Sequence, residues 1–273
     1  MGLTRTDGPL SPYAPTSVNY RIDGPPHKLL MHPFPRRVRA EFAGRTVLDT
    51  RAGQLVHESN LLPVLYVPFG DIDADVLAPT DHTTHCPFKG DATYHSLTVG
   101  DRVAENAVWS YPQPTDGAPW LTGLAALYWN AADAWYDEDE QVFAHLTDPY
   151  TRVDVRPTHR HVVVRYRDAQ GTDTVLAESR EPVVLSETGL NNRWYLRPGD
   201  VRVPVRRSET RTHCPYKGEA SYSHATLPDG TVLPDAAWSY PTPLPESSRI
   251  AGLLSFTDGG DTGVTVEVDG EPA

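Results

Sequence analysis

Twice in this chain a histidine, a cysteine and a lysine stand on one short, stiff stretch. His85-Cys86-Pro87-Phe88-Lys89-Gly90 recurs as His213-Cys214-Pro215-Tyr216-Lys217-Gly218. Proline fixes φ and glycine admits left-handed backbone, so the hexapeptide is expected to be a rigid loop that presents its reactive side chains. Lys89 and Lys217 could bind an anion, act as a base, or form a Schiff base when desolvated. His85 and His213 could shuttle protons near neutral pH. Cys86 and Cys214 become nucleophiles where nearby cations lower their pKa, although a small buried thiol filling core is the commoner case. The plainer roles are a histidine capping a backbone group and a lysine paired with Glu58 or Glu187.

Those glutamates hold matched positions, and a carboxylate there could be a general base or could orient Lys or His. Trp109-Ser110-Tyr111 and Trp238-Ser239-Tyr240 form the aromatic feature. On a strand, Trp and Tyr share one face and Ser points to the other. Two such rings can wall a cleft for a planar or cationic ligand, or can pack in the core. Nucleotidyl transfer would ask for carboxylates holding Mg²⁺ on phosphates. Asp91/Glu219 and Asp71/Asp200 are further matched carboxylates, but no Gly-rich phosphate loop accompanies them. A tetrahedral metal needs four ligands and each copy offers one Cys beside one His, so no metal site and no cofactor are expected.

The elements that position these residues are themselves repeated. The histidines are offset by 128 residues, from 85 to 213. Thr46-Val47-Leu48 matches Thr174-Val175-Leu176, and Glu58, Leu61, Tyr66 and Asp71 match Glu187, Leu190, Tyr195 and Asp200. The Trp-Ser-Tyr-Pro segments and Gly123-Leu124/Gly252-Leu253 match one residue further on, so the intervening turn gained a residue. A period near 130 is too long for a solenoid, and each copy must be a domain with its own core. The 273 residues suit two domains at roughly 150 each. Apolar runs are short, β-branched and separated by 26 prolines, which favours strands. Segment 121–133 could be helical, but its counterpart 250–257 is short and followed by Asp-Gly-Gly, so strand is expected in both. The expected class is mainly β: two tandem copies of a small antiparallel domain related by a pseudo-two-fold. The boundaries are an extended arm over 1–26, a first domain over 27–136, a linker and entry segment over 137–158 and a second domain over 159–273.

Net charge is −12, which repels nucleic-acid phosphates and anionic lipid. Only two cysteines occur, at equivalent places, so a disulfide framework is not expected and a reduced cytoplasmic setting is. The N-terminus has no apolar signal region, and no apolar run approaches the ~20 residues that span a bilayer. A monomer with internal pseudo-symmetry, or a weak homodimer, is the expected state.

The HCP[FY]KG and WSYP motifs, preceded by E-[ST]-x-L and a Tyr five residues after that Leu, resemble the bacterial family called domain of unknown function 427. The stretch YDEDEQVFAHLTDPYTRVDVRPTHRH is similar to that family's two-copy members. The resemblance covers roughly residues 28–270 and implies a β-tent-like fold, the group of methionine sulfoxide reductase B, the formaldehyde–glutathione enzyme and the thalidomide-binding domain of cereblon. The family is sometimes filed as nucleotidyltransferase-like. It carries over no general activity, so it implies fold more than function. Its pattern has an Arg before the aromatic pair, kept as Arg193-Trp194-Tyr195 but replaced in Val64-Leu65-Tyr66. Arg51 and Arg180, upstream, occur in both copies.

The resulting expectation is an enzyme without a redox cofactor, acting on a small polar metabolite. Lys217, Glu187 and His213, with Lys89, Glu58 and His85, would do the acid–base or electrophilic work. Arg193, Arg180, Trp238, Tyr240, Tyr216, Cys214 and Tyr195 would bind the substrate, as would Arg51, Trp109, Tyr111, Cys86 and Tyr66 in a first, less complete site. The alternatives are a non-catalytic small-molecule or nucleotide-binding module, and a structural tandem.

Overall fold

Short β-branched and aromatic runs bounded by Pro, Gly and Asp-Gly fold as strands throughout this chain. The computed structural model describes residues 17–19, 24–59 and 61–273, so the expected arm over 1–26 lies mostly outside the described residues. Among the described residues every helical piece is a short 3₁₀ turn, and none is long and apolar enough to cross a membrane.

The chain divides into two compact units, Met1–Thr151 and Arg152–Ala273. The first holds β1 (Leu29–Pro33), β2 (Val38–Phe42), β3 (Arg45–Thr50), β4 (Gln54–Glu58), β5 (Val64–Pro68), β6 (Leu77–Cys86), β7 (Gly90–Val99), β8 (Arg102–Pro114), β9 (Leu124–Leu127), β10 (Ala134–Asp137) and β11 (Glu140–Val142). The second repeats them in order: β12 (Val153–Pro157), β13 (Val162–Arg167), β14 (Asp173–Ser179), β15 (Val183–Glu187), β16 (Arg193–Tyr195), β17 (Val205–Cys214), β18 (Gly218–Thr226), β19 (Val232–Ser239), β20 (Ser255–Phe256), β21 (Val264–Val268) and β22 (Glu271–Pro272).

In the first unit a seven-stranded antiparallel sheet runs β1-β4-β5-β9-β8-β7-β6, and a four-stranded one runs β11-β10-β2-β3. The second unit has the same pairings, with the large sheet in two pieces, β12-β15-β16 and β17-β18-β19-β20. A bridge between Leu196 and Leu254 ties them where the first unit pairs Val67 with Ala125. The extra residue of the second copy sits in the β18–β19 turn, which closes through Leu227 and Gly230 around Asp229.

Segment 121–133 holds β9 with a 3₁₀ turn on either side, Pro119–Leu121 and Trp129–Ala131. Segment 137–158, read from its charges as a linker, carries strand at both ends. Strand β11 pairs with β10, and β12 pairs with β15. Two of its charges pair within the units, Asp137 with Arg36 at 2.6 Å and Arg152 with Asp154 at 2.8 Å.

Period-two alternation gives the large sheet two apolar faces. Leu55, Leu65, Val67, Ala125 and Leu127 pack with Val38, Ala40, Phe42 and Trp135 of the second sheet as the main core. Val56, Val64, Tyr66, Leu124 and Ala126 face the other way, into a separate aromatic cluster. In the second unit Val184, Trp194 and Leu196 take the first role, and Val183, Leu185 and Tyr195 the second.

Candidate functional site

The hexapeptide is the β6–β7 hairpin turn, and its twin is the β17–β18 turn. Pro87 follows Cys86, whose carbonyl accepts from Lys89 N at 3.2 Å; Cys214 and Lys217 repeat the bond at 3.2 Å. Gly90 and Gly218 then adopt φ of 106° and 94°, which an L side chain rarely tolerates. The space is tight as well, since a Cβ on Gly90 would stand 3.0 Å from Gln113 O. The lysine carbonyls accept from Thr115 N and Leu244 N, both at 3.1 Å. A proline, a glycine and two backbone bonds thus fix each lysine's Cα at the mouth of the sheet.

From there the lysine turns inward to a glutamate at the end of β4 or β15, strands that do not pair with the hairpin. Lys89 donates from Nζ to Oε1 of Glu58, and Lys217 to Oε2 of Glu187 at 2.5 Å. The side chains are nearly buried, at 10% and 6% exposed in the first pair and 11% and 8% in the second. Of the three lysines in the chain, these are two. Taking two charges out of water costs several kcal/mol per ion, roughly offset only when geometry and further hydrogen bonds are good. In the first unit His27 Nε2 stands 3.2 Å from Glu58 Oε2 and its ring stacks on Phe88 at 4.0 Å.

Aromatic side chains line the pair. Trp109 Nε1 donates to the Tyr66 hydroxyl at 3.1 Å, and Trp238 and Tyr195 are the equivalent residues of the second unit's cluster. The Lys89 ammonium lies 5.7 Å from the Tyr111 ring centre. Trp109 and Tyr111, and equally Trp238 and Tyr240, share one face, as the Trp-Ser-Tyr spacing requires. Tyr111 and Tyr240 are each 6% exposed, so these rings are packed in the aromatic clusters. Burial, reinforced by the neighbouring Cys and Glu side chains, pushes the hydroxyls of Tyr66, Tyr111, Tyr195 and Tyr240 well above the ordinary tyrosine range. They remain protonated and able to donate. Cys86 and Cys214 are half-buried free thiols packed against the same clusters.

Other expected site residues stand apart from the pair. His85 is exposed and bonds Asp91 at 2.6 Å, while His213 lies 3.4 Å from Glu219. These are cross-strand partners in the hairpin register, and alternation from the half-buried cysteine sends the preceding histidine to the outer face. The same pairs occupy Asp91 and Glu219. Asp71 accepts from Thr50 Oγ1 at 2.6 Å and Asp200 from Ser179 Oγ at 2.7 Å, so these matched carboxylates pin a 3₁₀ turn to the ends of β3 and β14. Arg51 and Arg180 are exposed on the turns after β3 and β14. Arg193 pairs with Asp258 and lies 5.8 Å above the Trp238 ring. In the first unit, where Val64 replaces it, Tyr128 covers Trp109 at 4.4 Å. Tyr216 and Phe88 follow the turn prolines at the mouth of each site.

The geometry adds residues that motif reading passed over. Thr84 Oγ1 and Tyr94 OH are 2.9 Å apart, and Thr212 and Tyr222 repeat the contact at 3.1 Å. Two residues before each cysteine, the threonine shares its face, and that period was available in the repeat itself. His27 has no repeated counterpart, and nothing in the sequence marked it.

With this arrangement in view, the comparisons are specific. The family model for the domain of unknown function DUF427 matches the chain twice, over residues 30–138 and 154–270, and the chain belongs to that family. A search of the curated proteins gives no match.

Proposed function

We propose that each unit of this DUF427 tandem carries a small-molecule site in which the Lys–Glu pair performs acid–base chemistry on a small polar metabolite. The carboxylate accepts a proton, the ammonium steadies the charge that develops, and the tyrosine hydroxyls orient the substrate against the tryptophan ring. No redox cofactor enters this scheme. It extends to a cytoplasmic protein, monomeric or weakly dimeric, that does not bind nucleic acid, in keeping with a net charge of −12 and two free cysteines.

One observation carries the proposal: the same buried ion pair, under the same tyrosines, occurs in both units. A fold that merely needed to fasten a hairpin to a strand would do so as well with apolar side chains, because replacing a buried ion pair by packed hydrophobic groups is often neutral or stabilising.

The test is a thermal-shift screen of the whole protein against carboxylic acids, amino acids, aldehydes, ketones and phosphate esters. Wild type, Lys89→Met, Lys217→Met and the double variant are compared. A compound class that raises Tm in wild type and not in the double variant is the expected result. For carbonyl compounds, borohydride trapping adds a mass at Lys89 or Lys217. A shift that survives in the double variant, or no shift in any class, overturns the proposal. The rival role is a structural latch, favoured by the near-complete burial of both pairs.

A further inference from the structure

The second unit has a cavity of about 200 Å³ away from its Lys–Glu pair. Arg197 and Glu181 stand on its rim, joined as an ion pair. Thr158 and His159 add polar groups, and Val183 and Leu253 add an apolar surface.

The first unit shows the same fold without these groups. The register places Phe34 at the position of Thr158, Pro35 at His159, Ala52 at Glu181 and Pro68 at Arg197. Phe34 is 3% exposed and packed into the main core. Four uncharged residues therefore satisfy the fold at these places, and the polar set is peculiar to the second unit. Exposed ion pairs contribute little stability, and Arg197 and Glu181 are 60% and 55% exposed. Stability does not account for them.

We infer that this cavity binds a small zwitterion of the α-amino-acid class, independently of the site on Lys217 and Glu187. An ion pair at the rim of an apolar hollow is complementary to a ligand with an ammonium beside a carboxylate. Arg197 has five N–H donors and spends one on Glu181, which leaves a fork for the ligand carboxylate. Glu181 keeps its second oxygen for the ligand ammonium. Thr158 Oγ1 accepts from Arg160 N at 3.3 Å, leaving its own proton free to donate. The ligand's side chain rests on Val183 and Leu253. The volume is below the ~300–1,000 Å³ of sites for drug-sized molecules, which favours a ligand the size of a single amino acid.

Isothermal titration calorimetry of the full chain with L-alanine, L-serine and L-valine tests this. N-acetyl-L-valine and L-valinamide, each lacking one charge, serve as blocked probes. Binding of at least one free amino acid is expected, weakened by about tenfold or more in either blocked form and in Arg197→Leu and Glu181→Gln. Thr158→Phe, which copies the first unit, should abolish it. No heat with any free amino acid overturns the inference. So does equal affinity for the blocked forms, a comparison made on wild type and so free of any folding defect. Unchanged affinity in folded Arg197→Leu overturns it too.

Discussion

Lys217 Nζ lies 2.5 Å from Glu187 Oε2 with both side chains nearly out of water. Removing one partner strands the other charge. Lys217→Met is therefore expected to destabilise the second unit by about 3–5 kcal/mol, as is Glu187→Leu alone. The double change should restore most of that loss, since two apolar side chains of similar size leave nothing unpaired. Urea unfolding of the three variants reads the difference. Equal destabilisation by the single and double changes would show that packing, not charge, holds this corner.

Gly90→Ala should be harsher than Gly218→Ala. Both glycines need positive φ, at 106° and 94°, but the added Cβ meets Gln113 O at 3.0 Å in one and Thr242 O at 3.3 Å in the other. Left-handed backbone costs an L residue roughly 1–2 kcal/mol, and a rigid carbonyl in contact adds to it at Gly90. Thermal denaturation should show the larger loss for Gly90→Ala, and a reversed order would contradict the geometry.

The repeat and its period-two alternation made the β class, the two-copy organisation and the strand positions of the aromatic pair legible in advance. The Lys–Glu contact is the plainer role open to those residues, and the hairpins with β4 and β15 bring it about. The histidines show where one-dimensional reading stops. His85 adjoins Cys86, and adjacency in a strand means opposite faces, so a motif that looks like one cluster is split by the pleat. Arg193 was legible as an asymmetry between copies, but its partner Asp258 is 65 residues away and joins it only through the β16–β20 neighbourhood. The 137–158 segment, expected to link the copies and open the second, holds β11 near its start and β12 at its end.

Acid should weaken the first unit through His57. Its side chain is fully buried, neither ring nitrogen has a hydrogen-bond partner among the described residues, and burial lowers its pKa from the ordinary 6.5. Asp148 pulls the other way and His32 adds to the lowering, while the Tyr150 ring stands 5.3 Å off. The folded state thus prefers neutral imidazole. Its contribution is intact above pH 6.5, and stability falls as pH drops from there toward the lowered folded value. His57→Leu should flatten that part of the stability–pH curve. A residual slope is expected from His95, also lowered by burial. An unchanged curve in His57→Leu would remove His57 as the cause.

The two Lys–Glu sites should prefer different ligands, because their rims differ where their floors agree. Over Trp238 stands Arg193, held by Asp258; over Trp109 stands Tyr128, whose hydroxyl burial pushes up to about 12. A guanidinium with spare N–H donors favours an anionic ligand, and a charge-assisted contact of this kind is worth about tenfold in affinity. Carboxylates that register in the thermal-shift screen should therefore bind the second unit more tightly, measured by calorimetry in Lys89→Met for the second unit and in Lys217→Met for the first. Arg193→Val should erase the preference. Val64→Arg should not transfer it, because Trp129 stands at the position of Asp258 and offers no carboxylate to hold the new guanidinium, and Tyr128 already covers the ring. His27 adds a further barrier at the first site, since it occupies the second oxygen of Glu58 while stacked on Phe88. His27→Ala should accordingly strengthen binding at the first unit and leave the second unchanged. Tighter binding of carboxylates at the first unit than at the second would show that Arg193 is spent on Asp258 and does not meet the ligand.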